Sequence, residues 1–295
     1  KQFSMISQLA LFEAEYPLQV FAISLVFGSL IGSFLNVVIH RMPIMMQKEW
    51  ESQANEVLGQ AEEAQESETY NLIFPNSHCP KCDYTIKPWE NIPIVSYLFL
   101  KGKCSSCGNR ISPRYPLIEL VTGVLTAIVI LNFGLNLTGL TCCILTWALL
   151  SLALIDFDHQ FIPDDITLPM LWLGLICNYF DLITLFGNAF WGAVTGYLVL
   201  WSVFQVFKLV TGKEGMGYGD FKMLAMLGAW MGWQMLPLIV ILSSMAGAII
   251  GGALIFFGRD RAVPISFGPF LAIAGWIALL WGNEITQMYL KFTAF

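Results

Sequence analysis

Charge is what this chain lacks. Only 12% of its 295 residues are Asp, Glu, Lys or Arg, against 56% hydrophobic, and the mean hydropathy is +0.65. A soluble globule carries about a quarter of its residues charged, so that class is excluded for most of the chain. No G-x-G-x-x-G follows a strand-like run, and Gly215-x-Gly217-x-Gly219 comes after an apolar run, so no nucleotide-binding βαβ unit can be read. Basic and aromatic residues do not interleave as they do in single-strand readers, and no nucleic-acid partner is expected. Basic residues are also missing ahead of the first apolar run. Glu13 and Glu15 stand there instead and no small-residue cleavage site follows, so that run reads as a retained helix and not a cleaved signal.

What is present is a succession of apolar runs, at about 18–39, 117–135, 139–157, 166–180, 187–209, 223–234, 236–257 and 268–282. They predict an all-α polytopic membrane protein of about eight transmembrane helices, with a cytoplasmic loop domain between the first two. The sixth run is short enough for a helix that only partly crosses. Four runs carry a Gly-x3-Gly pair, at Gly28/Gly32, Gly192/Gly196, Gly228/Gly232 and Gly247/Gly251, the spacing that lets helix backbones pack closely. Basic residues set the orientation. Thirteen of the 15 fall in 40–116 and in later connections on the same side, leaving Lys1 and Lys291 opposite. By the positive-inside rule the loop-rich face is cytoplasmic and both termini lie outside.

The first long connection divides in two. Residues 49–68 hold seven glutamates and no basic residue, with Trp50, Ala54, Val57, Leu58, Ala61 and Ala64 on one helical stripe, which predicts an amphipathic acidic helix. Residues 70–116 reverse the balance, with six Lys or Arg against Asp83 and Glu90. Within them Cys79-x2-Cys82 and Cys104-x2-Cys107 form two knuckles 21 residues apart. Four thiolates from two turns close a tetrahedral Zn2+ shell, and in a reducing compartment a structural disulfide is not expected. A closed shell leaves the metal structural. A redox pair or unligated thiols are the competing readings. His78 reads as a solvated loop residue, and Cys142, Cys143 and Cys177 as packing residues inside apolar runs.

Two carboxylates stand out at the edges of apolar runs. Asp156 abuts the third run, and Asp220 ends Gly217-Tyr218-Gly219-Asp220 after the fifth. An acid at a membrane edge is a functional candidate because keeping it there costs free energy. Asp158 and Asp165 read as solvated loop residues, and Asp164, after Pro163, as a helix cap. The bland reading of Asp220 is an N-cap behind a flexible Gly-rich turn, whose glycines permit unusual backbone angles and close approach of a substrate chain. If Asp156 and Asp220 meet, they form a shared-proton dyad for peptide hydrolysis, one carboxylate activating water and the other polarising the carbonyl. Lys222 is close enough in sequence to bias such a pair toward ionisation.

Together, Asp156 with Ile162-Pro163-Asp164, Gly217-Tyr218-Gly219-Asp220, Gly32-Ser33-Phe34-Leu35-Asn36-Val37-Val38 before His40-Arg41-Met42-Pro43, and the four-cysteine loop resemble the bacterial type IV prepilin peptidases, and the likeness runs essentially end to end. The resemblance implies a bifunctional enzyme of the inner membrane. It would cut the basic leader from prepilins and type II secretion pseudopilins after a glycine, then N-methylate the new terminal residue with S-adenosylmethionine. It makes Asp156 and Asp220 the catalytic pair and Cys79, Cys82, Cys104 and Cys107 the metal ligands. It also implies three parts: 1–40 with the first helix, 41–116 with the acidic helix and the zinc domain carrying methyl transfer, and 117–295 as the peptidase.

The methyl-donor site is sought around the cysteine loop, at Trp89-Glu90-Asn91-Ile92-Pro93 and Tyr115-Pro116-Leu117-Ile118-Glu119, with Glu90 and Glu119 as candidate ligands. Their bland readings are a turn acid and an interfacial acid paired with Arg114. Asn36, polar within the first helix, contacts this site or bonds a neighbouring helix. The acidic segment 49–68 offers a field for a basic leader. Two other classes stay open. A proton-coupled transporter keeps acids in a bundle but places them near the midplane and shows internal repeats, none of which is read here. A membrane-tethered binding module would use the basic half of the loop against anionic lipid or nucleic acid, though the net charge of that half is modest.

Overall fold

The structure is a computed structural model that describes residues 11–59, 70–213, 215–258 and 265–293. It separates into two compact units, 1–135 and 136–295. Among the described residues every regular element is helical, apart from two isolated β-bridges. The eight long helices coincide with the eight apolar runs. Five of them are long and apolar enough to cross a bilayer, which makes the chain a multi-pass membrane protein.

The first unit pairs α1 (Pro17–Val57) with α3 (Arg114–Phe133), and the short α2 (Val95–Phe99) lies in the loop between them. Small residues bring α1 and α3 together: a Cβ on Gly28 would meet Thr126 Cβ at 2.6 Å, and one on Gly32 would meet the Glu119 backbone at 2.7 Å. The threonines that line this seam keep their hydroxyls satisfied inside α3, Thr122 donating to the Ile118 carbonyl and Thr126 to that of Thr122, both at 2.7 Å. Asn36 donates to the Tyr115 carbonyl at 3.2 Å and pins the start of α3 to α1.

One expectation is corrected here. The acidic segment does not begin a separate helix, because α1 runs on through Pro43 to Val57, about 60 Å in all. Trp50, Val57 and Leu58 on the expected stripe are exposed, so the stripe is not a buried face. Side-chain bonds one turn apart, Gln47 to Glu51 at 3.0 Å and Gln53 to Glu49 at 3.3 Å, support this polar extension. Ala61, Ala64, Glu62, Glu63, Glu66 and Glu68 lie outside the described residues.

The second unit contains α4 (Leu137–His159), α5 (Asp164–Tyr179), α6 (Phe186–Thr211), α7 (Tyr218–Met231), α8 (Leu236–Phe256) and α9 (Gly268–Thr293). Its centre is α7. With 14 residues this helix is about 21 Å long, short of the roughly 30 Å of a hydrocarbon core. It is buried from Asp220 to Met231 except at Lys222. A helix end inside apolar surroundings needs partners for its last carbonyls. Asn178 of α5 supplies them, donating to the carbonyls of Ala229 and Trp230, both at 2.8 Å, while its own oxygen accepts the N–H groups of Ile183 and Thr184. Trp230 Nε1 donates to the Met170 carbonyl at 2.8 Å. Asn178→Ala strands these groups in a dry interior and is expected to cost about 3 kcal/mol, measured as a lowered unfolding temperature in detergent.

Two of the Gly-x3-Gly pairs and Gly228 of a third make the close packing that their spacing predicts, while Gly232 caps α7 at φ 83° and faces side chains. A Cβ on Gly192 would lie 2.2 Å from the Gly228 carbonyl, and one on Gly196 2.7 Å from that of Leu224, so α6 and α7 touch backbone to backbone. The fourth pair differs. Gly247 and Gly251 face side chains, the Phe270 ring at 3.4 Å and Ile265 Cδ1 at 3.2 Å, because α9 presents an aromatic ring there and not a small residue.

Candidate active site and metal centre

In the first unit each C-x2-C turn is built twice over the same backbone plan. Cys79 N–H donates to Tyr84 O at 2.9 Å, and Cys104 N–H to Asn109 O at 2.8 Å. The turns close with Asp83 N–H to Cys79 O and Gly108 N–H to Cys104 O, both at 3.0 Å. Ile86 N–H to Ser77 O and Ile111 N–H to Gly102 O, both at 2.8 Å, complete the match. Asp83 and Gly108 take the left-handed conformation at φ 53° and 69°, which carries the chain back across its own sulfurs.

The four sulfurs lie within 4.8 Å of one another, and Cys79 and Cys107 are 3.8 Å apart. A tetrahedron of Zn–S bonds of about 2.3 Å has edges of about 3.8 Å, so the quartet has the dimensions of a structural metal site. The Lys81 N–H is the chief group drawing the Cys79 thiol down to about 7. At Cys82 the Tyr84 N–H pulls the same way, yet desolvation and the bonds to its sister sulfurs push that thiol up to about 11. A cation held among the four sulfurs would offset the charge of successive thiolates in so small a space. His78 is exposed with its Nδ1 against the Asn76 carbonyl at 3.1 Å, outside the quartet as expected, and Cys142, Cys143 and Cys177 are buried packing residues.

Beside the quartet is a cavity of about 520 Å³, bordered by Cys79 and Cys104, by Tyr84 and Tyr115, and by Asn36 and Glu119. Both segments expected to frame a cofactor reach it. Its two acids play different parts. Glu90 accepts the Lys87 N–H at 3.0 Å, and the Ser105 hydroxyl holds its carboxyl below the usual range, so it is a turn acid that ties Pro88–Asn91 to the second knuckle. Glu119 is 8% exposed and accepts the Ile94 N–H at 2.7 Å. Ile94 has φ 61° and ψ −48°, and Val95 N–H reaches back to Pro93 O at 2.5 Å: a γ-turn of the strained hand, fastened to a buried carboxylate at the cavity's edge.

In the second unit Asp156 lies in the last turn of α4 and Asp220 in the first turn of α7, with exposures of 5% and 7%. The Asp220 carboxylate folds back beside Gly217, with Oδ2 3.7 Å from where a Cβ on that glycine would stand. The N-cap of α7 is Gly217 and not Asp220. Phe204 and Tyr197 of α6 stack on Phe221 at 5.5 and 6.0 Å, which fixes the turn that carries Asp220. None of Gly215, Gly217 and Gly219 has a positive φ, so the expectation of unusual backbone angles is corrected. Gly215 and Gly219 provide room, for the Phe207 ring and for Ile162, whose atoms would stand 2.7 and 2.8 Å from a Cβ.

Asp164 and Lys222 also depart from expectation. The N-cap of α5 is Pro163, and Asp164 places both carboxylate oxygens on Lys222 Nζ, at 2.8 and 2.6 Å. Lys222 is thereby engaged two residues beyond Asp220, and it braces α7 against α5 instead of facing the aspartate pair. Asp158 and Asp165 are exposed, as expected, but they lie in the last turn of α4 and the first turn of α5 and not in a loop.

Residues 26–133 match the bacterial peptidase A24 N-terminal domain, and residues 143–252 match the type IV leader peptidase family. Proteins named prepilin leader peptidase/N-methyltransferase are similar along the whole chain. The one from Pseudomonas aeruginosa is 56% identical over 96% of this chain and 97% of its own. The one from Stutzerimonas stutzeri is 55% identical over 95% and 97%, and that from Pseudomonas putida 50% over 96% and 98%. The chain belongs to the type IV leader peptidase family. No solved structure matches it.

The two family domains fall one in each compact unit. In this member, sequence reasoning missed the residues that hold Asp156. Gly268 N–H donates to Asp156 Oδ2 at 2.9 Å, and the Ser266 hydroxyl to the Asp156 carbonyl at 2.8 Å. The signal available was Gly268-Pro269 at the head of the last apolar run, a helix start in which glycine precedes proline. Also missed was the 25-residue offset between the knuckles, visible as Cys79-x2-Cys82-x3-Ile86-x-Pro88 against Cys104-x2-Cys107-x3-Ile111-x-Pro113.

Proposed function

We propose that this enzyme of the bacterial inner membrane removes the leader of type IV prepilins and type II secretion pseudopilins through Asp156 and Asp220. It then N-methylates the new terminus with S-adenosylmethionine. The observation that carries the peptidase half is two buried carboxylates from different helices whose neighbouring glycines, Gly219 beside Asp220 and Gly268 against Asp156, both pack on Ile162. One proton shared between them lets an ionised carboxylate take a proton from water while the water oxygen attacks the scissile carbonyl carbon. The protonated partner gives its proton to the carbonyl oxygen. As the tetrahedral gem-diol collapses the C–N bond breaks, the leaving amine takes the proton of the pair, and the hydroxyl that re-forms the carbonyl returns its own, so the pair ends with one proton as it began. The two acids titrate as a unit, so neither holds a permanent role.

The basic residues support an active site at the cytoplasmic face, where a prepilin anchored by one apolar helix presents its scissile bond. The acids of 49–68 supply an attractive field for a basic leader.

For methyl transfer, the supporting observation is the cavity beside the cysteine quartet. Its volume lies in the range of small-molecule pockets, and the one buried carboxylate on its edge, Glu119, complements a cationic methyl donor or amine. When bound, S-adenosylmethionine would supply an electrophilic methyl group, its S–CH3 bond breaking to release the thioether as the N–C bond forms and the new N-terminal amine loses a proton. Residues 41–116 make most of this half and 117–295 the peptidase, with Asn36 and Glu119 lent to the cavity by α1 and α3. Zn2+ on Cys79, Cys82, Cys104 and Cys107 would clamp the cavity wall and do no chemistry. Glu119→Gln, which keeps the shape but removes the charge, is expected to lower methyl transfer about 10- to 100-fold and leave leader cleavage within about twofold.

The test is incubation of the purified enzyme with a synthetic prepilin and methyl-labelled S-adenosylmethionine. Release of the leader together with label on the new terminus is the expected result; neither product in a folded preparation overturns the reading.

A further inference from the structure

The loop before α9 closes on Asp156. The aspartate's backbone carbonyl receives the Gln160 N–H at 2.9 Å and the Ser266 hydroxyl at 2.8 Å, and its Oδ2 receives the Gly268 N–H at 2.9 Å. Gly268 does not have a positive φ, so glycine is needed for space and not for backbone angle. A Cβ there would stand 2.5 Å from Asp156 Oδ2 and 3.1 Å from Ile162 Cδ1. Gly219, beside Asp220, meets the same isoleucine, with Ile162 Cβ at 2.8 Å from its ideal Cβ. Ile162 is thus wedged between two glycines, one adjoining each aspartate. Two absent side chains set how closely the ends of α4, α7 and α9 approach.

We propose that Gly268, seconded by Ser266, is a positioning residue for the peptidase: it occupies Oδ2 of Asp156 so that the other carboxylate oxygen is the one presented to water and to Asp220. The inference rests on the peptidase reading above. A fixed N–H at a helix start orients a carboxylate more strictly than solvent does, and it also favours its charged form. The donor belongs to the main chain, so a side-chain substitution reaches it only by displacing the carboxylate.

The test compares Gly268→Ala, Ser266→Ala, Asp156→Asn and the control Gly247→Ala, whose added methyl makes ordinary contact with the Phe270 ring at 3.4 Å and the Phe267 ring at 3.9 Å. Each is purified in detergent and assayed for kcat and KM of leader release, and for thermal unfolding. Displacing a reacting carboxylate by about 1 Å costs about 100-fold, so Gly268→Ala should lose that factor in kcat. Its KM should stay within about twofold, and its unfolding temperature should match that of Gly247→Ala, which cleaves at the wild-type rate. Ser266→Ala should lose about tenfold, in kcat alone.

A kcat within about threefold of wild type in Gly268→Ala overturns the proposal. So does a loss that appears in KM or in stability, or one shared by Gly247→Ala. Should Gly268→Ala fail to fold, Ser266→Ala decides, and full kcat there overturns the proposal. Cleavage by Asp156→Asn would bring down the peptidase reading itself, and the inference with it.

Discussion

Asp156→Asn and Asp220→Asn each reduce leader cleavage by about 1,000-fold or more, and the double variant is no slower than either single one. The size follows from what asparagine cannot do. It is nearly isosteric with aspartate, so the packing of α7 against α6 and the Lys222–Asp164 brace are untouched. It carries no proton to share and no charge to draw one from water. The lack of additivity follows from the pair working as a single titrating group: once either member is gone, the other has nothing to exchange with. Rates of leader release from a prepilin peptide give the numbers, and unfolding temperatures in detergent show that both variants are folded. Methylation of an already cleaved pilin should stay at the wild-type rate in both, because the cavity proposed for it lies in the first unit. Cleavage within tenfold of wild type in either variant would remove that residue from the dyad.

The parts of this structure that were legible are those whose cause is local. An apolar run of span length must be a helix, and all eight runs are. Two C-x2-C turns with a short connection must bring four sulfurs together, and they do. Asp156 and Asp220 were conspicuous because each interrupts apolar sequence. What could not be read depends on partners far along the chain. Gly268 lies 112 residues from the carboxylate it holds, and Lys222 58 residues from Asp164. Charge pattern alone left Lys222 facing its sequence neighbour, whereas the fold gives it a stronger partner on another helix. The fourth Gly-x3-Gly pair shows the same limit, since glycine spacing predicts room without saying whether backbone or a phenylalanine fills it. The helix through 57 was misread for another reason. A change of composition at His40 marks the end of the apolar surface, but hydrogen bonding within a helix does not stop where burial stops.

Cys104→Ser should abolish metal binding and, through it, methyl transfer, while leader cleavage stays within about threefold. The wild-type protein is expected to hold about one Zn2+ per chain by elemental analysis. Sulfur spacing of 3.8 Å between Cys79 and Cys107 already matches a tetrahedral edge, so little rearrangement opposes binding. A structural zinc supplies about 10–16 kcal/mol in small domains, and a missing thiolate removes a large share of it. The consequence is local. Among the described residues, 70–113 hold few buried apolar side chains, Cys79 being one, so without the metal nothing of comparable size keeps the two knuckles apposed. Cys79 and Cys104 are themselves at the cavity edge, and Glu90 joins the first half of the loop to Ser105 of the second knuckle. Parting the knuckles therefore opens the wall against which a methyl donor would rest, with methyl transfer falling by about 100-fold or more as its geometry is lost. Limited proteolysis should then cut within 70–113 in Cys104→Ser, and in wild type treated with a strong chelator, but not in the zinc-loaded enzyme. Full zinc content in Cys104→Ser would mean that the quartet is not the metal site. Zinc lost with methyl transfer intact would mean that the metal does not shape the cavity.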